Sequence, residues 1–505
     1  MRLLLLHRRR RGKRARLGRF TIIDRFGRAV AGRRSRVFAT AVLVTFVFAG
    51  LAASTATAAR GLMTGFTDNS IFDPSAPNPS IRGAWLDRVR DSHARIVRIT
   101  VDWRNTVGRV PPEHPGDPTD PAYGFARLDA AVRAAKARSL EVMLTVYRAP
   151  GWAEDGNPPR HIEPGAWKPN PEKYGQFALA LARRYSGGFR GLPRVHFFEA
   201  WTEPNLTQFL APQWIGKKPE AHSRYRAMLN RFYEGIHSVQ RHATVIAGAT
   251  SPFGDSRRHP VNPQRPRMRP IAFLRTALCL NAKLKKTRCD NPAHLDAVSA
   301  HPLNTENGPH YKPRNKDDSQ VANFGRVALV TRAAERAGTV VPGGRHPLWV
   351  TEEGMLSNPP NPSGVRPITH ARWLEESLYL LWKQGASVVM NLQIRDVAYD
   401  RRHVPSGQWT TGVYFRNGKP KPALRAWRFP FVTHRKSKRQ VSAWGKAPVS
   451  GKLRIQQKLR RHWRTRKAIT VNAGQVFTTP FKLKGEATLR AQVGKAKSLT
   501  WRQSG

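Results

Sequence analysis

The fold of this chain is most constrained by a regular alternation of short apolar runs with longer amphipathic segments. Segments 125–140, 170–187, 223–243 and 371–386 space apolar residues three and four apart, which predicts helices with one face against a sheet. Between such segments, runs rich in β-branched residues predict strands, and several are apolar almost throughout, as strands covered on both faces are. The eight runs span residues 61–68, 96–103, 141–147, 195–201, 243–250, 297–302, 348–353 and 388–394.

Eight successive units of strand and helix predict an α/β fold, a (β/α)8 barrel over residues 60–430, with a doubly wound open sheet as the alternative. The pattern changes at residue 431. From there to residue 505, helical periodicity disappears, and short alternating runs such as 452–459 predict a separate small all-β sandwich. With 505 residues, of which 40% are hydrophobic, the chain is long enough to bury both cores.

The N-terminus carries the pattern of a targeting segment. Residues 1–36 hold fourteen Lys and Arg with one Asp, and an apolar run at 37–53 is followed by small residues that end at Ala58. This pattern predicts a signal peptide over residues 1–59 and a secreted, extracellular protein. The apolar run is close to the shortest that can span a bilayer, so an uncleaved anchor, with a membrane-associated protein, is the alternative.

The C-terminal segment is the second large contribution to the formal net charge of +54. Residues 432–505 hold nineteen Lys and Arg with one Glu. Such a surface attracts anionic polymers, so one interpretation is attachment to an anionic cell-wall polymer, and the other is a packing module of biased composition. Export, and the absence of helix-turn-helix, zinc-finger or RNA-binding sheet motifs, predict that the chain binds no nucleic acid.

Cysteine chemistry is limited to Cys279 and Cys289. In an exported chain, the nine intervening residues, rich in Lys and polar groups, favour a loop-closing disulfide, and two free thiols are the alternative. No cluster of His and Cys and no HExxH motif is present, so we predict no metal site.

Carboxylates follow two of the predicted strands. Glu203 follows the fourth strand in the run HFFEAWTEPNL, and Glu352 and Glu353 end the seventh in PLWVTEEGM. In a (β/α)8 barrel, functional residues lie at the C-terminal ends of the strands, so these carboxylates are expected to meet at one rim. Adjacent strand residues point to opposite faces, so one of Glu352 and Glu353 faces the barrel mouth and the other is exposed or salt-bridged.

These motifs resemble the retaining clan A barrel glycosidases, of the cellulase-like family 5 or family 39 type. The resemblance covers residues 61 to about 430, and the fourth-strand motif is similar to the W-N-E-P-N of some members. The matching segments, in order, are IVRITVDW (96–103), AWTEPN (200–205), VSAHP (298–302) and TTGVYFRNGKPKPALRAWRFPFV (410–432).

The resemblance implies a role for each residue that matches. Glu203 would be the acid/base and Glu352 the nucleophile. Arg98 would donate hydrogen bonds to the nucleophile and hold it ionised, with a structural ion pair inside the barrel as the alternative. His301 would be a sugar-contacting or relay histidine, or else a satisfied polar group of the barrel interior.

Departures from the family pattern concern substrate recognition. Thr202 stands where the family has an Asn that binds the sugar 2-hydroxyl, and a hydroxyl offers fewer hydrogen-bonding groups. The eighth strand lacks the Trp on which the sugar usually stacks. Because sugar C–H faces pack on aromatic planes, aromatic and amide side chains near the strand ends are expected to contact the substrate. These predicted contacts are Tyr147, Trp152, Asn205, Asn391 and Trp409.

Two functions follow from this resemblance. The first is hydrolysis of O-glycosidic bonds in a β-linked oligo- or polysaccharide by double displacement, with a carbohydrate as partner and no cofactor. The second is a catalytically weak glycan- or cell-wall-binding protein on the same barrel, which the missing Trp favours.

Overall fold

The computed structural model describes residues 57–505 apart from 256–261, 263, 305–306 and 401–408. The predicted signal peptide over residues 1–59, including its apolar run, therefore lies outside the described residues except for its last three positions. Within the described part of the chain, no helix combines the length and the apolar character needed to cross a bilayer.

Eight parallel strands form a closed barrel. The strands are β1 (Met63–Thr67), β2 (Ile96–Asp102), β3 (Glu141–Tyr147), β4 (Phe197–Ala200), β5 (Thr244–Thr250), β6 (Ala297–Ala300), β7 (Leu348–Glu353) and β8 (Ala386–Leu392). Neighbours in sequence pair in parallel, and β8 closes the barrel by pairing with β1. Each strand overlaps one of the eight predicted runs, so the predicted barrel is confirmed.

Helices connect consecutive strands and cover the outside of the barrel. They are α1 (Arg82–Asp91), α2 (Trp103–Val107), α3 (Ala126–Lys136), α4 (Pro171–Arg184), α5 (Ala221–His237), α6 (Pro270–Ala277), α7 (Gly325–Ala337), α8 (Pro367–Lys383) and α9 (Pro422–Arg428). The four segments predicted to be amphipathic form α3, α4, α5 and α8. Local sequence fixes where a helix such as α4 begins, because Pro171 occupies its first turn and the Asn170 side chain accepts the N–H of Lys173.

The inside of the barrel changes from apolar to polar toward the C-terminal rim. Alternate residues of a strand point inward, so β2 contributes Ile96 and then Arg98, while β4 contributes Phe197 and then Glu199. Ile96 and Phe197 pack in an apolar cluster that also contains Met143, Ile246, Ala297, Trp349, Val388 and Met390. This layer fills the lower barrel, so polar side chains above it face only the rim.

Residues 431–505 form the second core. One antiparallel sheet contains β9 (Phe431–Ser437), β10 (Gln440–Lys446) and β13 (Val476–Lys482). The other contains β11 (Gly451–Leu459), β12 (His462–Val471), β14 (Ala487–Val493), β15 (Ala496–Lys497) and β16 (Trp501–Gln503). Side chains of both sheets share one apolar cluster, which makes this segment the predicted all-β sandwich. Because α9 ends at Arg428 and β9 begins at Phe431, two residues connect the barrel to the sandwich.

The two cysteines lie in a surface loop that follows α6. Cys279 and Cys289 are joined by a disulfide, with their Cα atoms 5.8 Å apart. Inside the loop, the Asn281 side chain accepts the backbone N–H groups of Lys283 and Lys285 at 2.8 and 3.1 Å. The disulfide and this turn together give the loop a defined shape.

A buried lysine ties α9 to the loops at the rim. Lys421 precedes α9, and its Nζ lies 2.7 Å from both Asp396 Oδ1 and Ser357 Oγ. The side chains of Lys421 and Asp396 are 0% and 1% exposed. Burial raises the pKa of Asp396 to about 6, against the opposing effect of Lys421. Lys421, the lysine of a Lys-Pro pair in the matching segment 410–432, therefore belongs to a buried ion pair.

We predict that Lys421→Met lowers the free energy of unfolding at pH 7 by about 3–5 kcal/mol, because it leaves the Asp396 carboxylate buried without a cation. Urea unfolding followed by Trp fluorescence measures this loss. Lys419→Met, at an exposed position, is the control and should change stability by less than about 0.5 kcal/mol. Equal effects of the two substitutions would contradict a structural role for the ion pair.

Candidate active site

A cavity of about 640 Å³ opens at the C-terminal rim of the barrel. Both predicted carboxylates, Glu203 and Glu352, line it, and their side chains are 16% and 17% exposed. Its other lining residues, among those described, are Asn69, Ser70, Arg98, Thr100, Tyr147, Thr202, Leu206, Gln208, Phe209, Ser251, Pro252, Phe253, Arg267, Leu303, Leu392, Gln393, Val397 and Trp409. Another cavity, of about 700 Å³, lies near the N-terminal ends of the first strands, and the residues described around it include no carboxylate.

Glu203 is directed into the cavity by an unusual backbone after β4. Trp201 and Glu203 have φ angles of +72° and +41°, which L-residues adopt rarely. Two hydrogen bonds hold this turn. The Trp201 indole donates to the Phe209 carbonyl, and the Glu203 N–H donates to the Ala249 carbonyl, both at 2.9 Å. Such backbone strain is concentrated at functional sites, because it persists only where the surroundings enforce it.

Glu352 faces the cavity because β7 contains a β-bulge. Two residues of β7, at positions 351 and 352, lie opposite one residue of β8. Trp349 belongs to the apolar layer inside the barrel, and strict alternation from Trp349 would have turned Glu353 inward. The bulge shifts this alternation by one residue, so Glu352 lines the cavity and Glu353 does not.

Glu353 differs from its prediction as an exposed or salt-bridged residue. Its side chain is fully buried, and no cation among the described residues pairs with it. Ser377 of α8 is the polar neighbour, which places Glu353 between the barrel wall and that helix. Burial raises the pKa of Glu353 to about 7, while the Ser377 hydroxyl acts in the opposite direction. Glu353 is buried because the bulge turns it away from the barrel interior and α8 covers that side of β7.

Arg98 connects four side chains at the floor of the cavity. Its Nη1 donates to Glu352 Oε1, and its Nη2 donates to Thr202 Oγ1 at 3.1 Å. Its Nε donates to Thr145 Oγ1 at 2.7 Å and lies 3.1 Å from Glu199 Oε2. The Arg98 side chain is 2% exposed, so these contacts replace water almost completely. Arg98 therefore contacts the predicted nucleophile, as the resemblance implies, and Thr202 contacts Arg98.

Glu199 is a candidate residue that the sequence analysis did not identify. It is fully buried in β4 and accepts hydrogen bonds from Thr145 Oγ1 and Ser299 Oγ, each at 2.8 Å. Together with Glu352, it places carboxylates on two sides of the Arg98 guanidinium. An acidic residue inside an otherwise apolar strand, two positions after the inward-facing Phe197, was the signal that could have revealed it.

His301 lies between the two carboxylates of the cavity. Its Nδ1 is 3.2 Å from Glu203 Oε1 and 3.7 Å from Glu352 Oε2, while Nε2 is 3.1 Å from Thr351 Oγ1. Burial lowers the pKa of His301, but Glu352 and Glu203 outweigh it, so the pKa is above its ordinary value. The raised pKa shifts His301 toward the protonated form, in which both ring nitrogens donate.

Charges around Glu352 favour its ionised form. Burial alone raises the pKa of this carboxyl, but His301 and Arg98 outweigh burial and leave the pKa below its ordinary value. Oxygen and nitrogen atoms of Glu203, His301 and Glu352 lie within 4.8 Å of one another, a spacing that could also hold a metal ion. A metal ion there would compete with Arg98 and a protonated His301 for the same carboxylate oxygens. The charges around Glu203 and Glu352 therefore fit a pair of carboxyl groups that transfer protons better than they fit a metal site.

The five predicted substrate contacts divide into two groups. Tyr147 and Trp409 line the cavity, which the other three do not. The Asn205 side chain bonds to the backbone of Ser251 and Met268, and that of Asn391 bonds to the backbone carbonyl of Thr411. Trp152 packs edge-on against Trp103, with ring centroids 6.0 Å apart. These three residues hold the loops of the rim, and Gln393, which was not predicted as a contact, lines the cavity after β8.

The fold is a closed, parallel (β/α)8 barrel, and two carboxylates, Glu203 and Glu352, line the cavity at its C-terminal mouth. Among solved structures, the fold is similar to a family 39 glycoside hydrolase from the gut symbiont Bacteroides cellulosilyticus WH2, with a TM-score of 0.50 and 16% identity over 84% of this chain and 81% of that chain. This match confirms, for the fold, the predicted resemblance to barrel glycosidases.

Two other similar structures have lower scores. A monomeric beta-xylosidase from Caulobacter crescentus CB15 gives a TM-score of 0.49 and 15% identity, over 84% of this chain and 96% of that chain. A GH5_18 protein from Streptomyces cattleya, in complex with GlcNAc, gives 0.46 and 15%, over 74% and 81%. No protein-family model and no curated protein sequence matches the chain.

We predict that Arg98→Met lowers the free energy of unfolding by about 3–5 kcal/mol, because it leaves Glu199 buried without its cation. Arg98→Lys should cost less, since it keeps the charge but not the forked contacts. In the double variant Arg98→Met/Glu199→Gln, part of the loss should be recovered. Chemical unfolding measures these variants together with the single variant Glu199→Gln, and strictly additive effects of Arg98→Met and Glu199→Gln would show that the pair is not coupled.

A second prediction concerns the pH dependence of stability. Because the folded-state pKa of Glu353 is raised to about 7, its contribution to stability is full below the ordinary pKa and is lost as pH rises through about 7. Glu353→Gln should therefore be more stable than the parent protein at pH 8 by roughly 2–3 kcal/mol, and nearly equal at pH 5. Urea unfolding at both values tests this, and a difference independent of pH would contradict it.

Proposed function

We propose that this chain is an exported retaining glycoside hydrolase that cleaves O-glycosidic bonds of a β-linked oligo- or polysaccharide by double displacement. The observation that carries the proposal is the close approach of Glu203 and Glu352, which have oxygens within 4.8 Å of each other. Retaining enzymes hold their two carboxyl groups about 5–5.5 Å apart, whereas inverting enzymes need about 6.5–9.5 Å to admit a water.

The first displacement uses the two carboxyl groups in different ways. Glu352, held ionised by Arg98 and His301, attacks the anomeric carbon and forms a glycosyl ester. Glu203 gives a proton to the leaving oxygen as the glycosidic bond breaks. The hydrogen bond from Arg98 fixes the orientation of the Glu352 carboxylate before the substrate binds. Little orientational freedom of the nucleophile is therefore lost in the reaction.

The second displacement returns the enzyme to its starting state. The ionised Glu203 takes a proton from water, and the resulting hydroxide attacks the anomeric carbon and releases Glu352. His301 contacts Glu203 and lies near Glu352. When protonated, it places a positive charge beside whichever of the two carboxylates is ionised at each step. No metal or organic cofactor takes part in this sequence.

Substrate binding is assigned to the side chains around the carboxyl pair. A cavity of about 640 Å³ lies within the usual range for small-ligand sites. Tyr147 and Trp409 offer aromatic planes for sugar C–H faces, and Asn69 and Gln393 offer amides for hydroxyl groups. Trp409 comes from the segment after β8, so it supplies an aromatic ring that β8 itself lacks.

Export is part of the proposal and is supported by two features. The basic segment at 1–36, the apolar run at 37–53 and the small residues up to Ala58 form a signal-peptide pattern. Cys279 and Cys289 are paired in a disulfide, which is the form cysteines keep in oxidising compartments. Cleavage near Ala58 would separate this N-terminal segment from the barrel and the sandwich.

The test is hydrolysis of a panel of aryl β-glycosides and β-linked polysaccharides, beside single Gln variants of the two carboxyl residues. Glu203→Gln should lower kcat by about 10²–10⁴-fold, and much less with a leaving group that needs no protonation. Glu352→Gln should remove turnover on every substrate. NMR of the first product should show retained configuration.

The neighbouring carboxylate provides the matched control. Glu353→Gln changes the same atoms one residue away from Glu352, outside the cavity, and should keep the parent rate. If no substrate is turned over, while both Gln variants still bind glycans, the barrel is a glycan-binding protein rather than a hydrolase. A product of inverted configuration would refute double displacement.

A further inference from the structure

The outer face of the second sandwich sheet carries a dense group of cations. Leu453 and Ile455 of β11 are fully buried in the sandwich core, so the residues that alternate with them point outward. The outward residues of β11 include three exposed cations, Lys452, Arg454 and Lys458.

Neighbouring strands extend this group. On β14, Leu489 and Ala491 are buried, and Arg490 between them is opposite Gln456 of β11. Lys497 of β15 is opposite Gln492 of β14 and is exposed. Directly opposite residues of antiparallel strands have side chains on the same face, about 4.5–5.5 Å apart. We refer to Lys452, Arg454, Lys458, Arg490 and Lys497 as the cationic face.

Among the residues that the structure describes, no carboxylate forms a salt bridge with the cationic face. Residues 431–505 are all described, and the one salt bridge among them joins Arg502 to Glu486 at 3.0 Å. Glu486 is also the one acidic residue of this segment. Burial lowers the pKa of Arg490, and the nearby Arg425 of α9 lowers it further, so Arg425 adds a positive charge at the border. The sheet therefore presents unpaired positive charges on a regular grid.

One aromatic side chain lies within the grid. Trp463 of β12 is opposite Lys458, and the Arg490 guanidinium lies 3.9 Å from the centre of its ring. Arg490 Nε also donates to Gln456 Oε1 at 2.8 Å, so its orientation is fixed from two sides. This stacked pair is a rigid hydrogen-bond donor at the centre of the grid.

We propose that the cationic face binds a polysaccharide that carries carboxylate groups, at a site separate from the cavity of the barrel. Ammonium and guanidinium groups without partners complement a row of carboxylates, and an extended polymer can follow the strands. The binding goes beyond the proposed hydrolysis and does not depend on it, because no residue of the face lines the cavity.

The composition of the face favours this polymer over two other anionic partners. Proteins that bind single-stranded nucleic acid stack successive bases on several aromatic rings, and the face offers Trp463 alone. Proteins that bind membranes stably add apolar insertion or a lipid chain to a basic surface, and the outward residues of β11 and β14 are polar or charged. A carboxylated polysaccharide needs neither feature.

The test compares two variants that lose the same charge. The face variant is Lys452→Gln/Arg454→Gln/Lys458→Gln/Lys497→Gln. The control variant is Lys436→Gln/Lys438→Gln/Arg439→Gln/Lys484→Gln, which removes four exposed cations from the end of the other sheet. Calorimetry with the full chain measures affinity for polygalacturonate and for its fully methyl-esterified, uncharged form. Thermal unfolding checks that both variants fold.

We expect polygalacturonate to bind, its methyl ester to bind much more weakly, and added salt to weaken binding. The face variant should lose affinity roughly ten-fold or more, and the control variant by less than about two-fold. Equal losses in the two variants would overturn the proposal, since charge alone would then account for binding. So would tighter binding of single-stranded DNA or of vesicles containing an anionic lipid. None of these outcomes requires turnover, so they are independent of the test of hydrolysis.

Discussion

The rest of the site depends on the ion pairs that the buried guanidinium of Arg98 forms with two carboxylates. A charge inside a barrel is costly unless partners surround it, and Arg98 has Glu199 on one side and Glu352 on the other. These residues belong to β2, β4 and β7, so the strands must keep their register for the contacts to form. The orientation of Glu352 is therefore set by the rigid barrel, and loop sequences can vary without moving it.

Glu203 is held in a different way, by local backbone conformation after β4. Positive φ angles at Trp201 and Glu203 are unfavourable, and they persist because the indole and the backbone N–H of this turn are hydrogen bonded. Asn205 adds a link to the segments after β5 through Ser251 and Met268. One carboxylate thus depends on the barrel interior and the other on loop packing, and His301 joins the two.

The sequence predicted the strands because each is covered on both faces and so forms an apolar run. Glu203 and Arg98 were identifiable because their motifs lie at strand ends or on inward positions. The bulge in β7 was not, because it depends on pairing with β8 rather than on neighbouring residues. Glu199 was missed because its cation lies on another strand, and the positions of Trp152, Asn205 and Asn391 depend on how the loops pack. Side-chain type alone does not determine whether an amide faces a ligand or a backbone carbonyl.

The two-residue connection between α9 and β9 has a mechanical consequence. A flexible linker would let the sandwich hold a long chain while the barrel searched along it for cleavable bonds. Here the connection is too short for such a search, and Lys446 of β10 bonds Thr64 of β1. A polymer held by the sandwich would meet the barrel at one fixed angle and distance. The branching and repeat length of the polymer would then determine which glycosidic bonds reach the cavity.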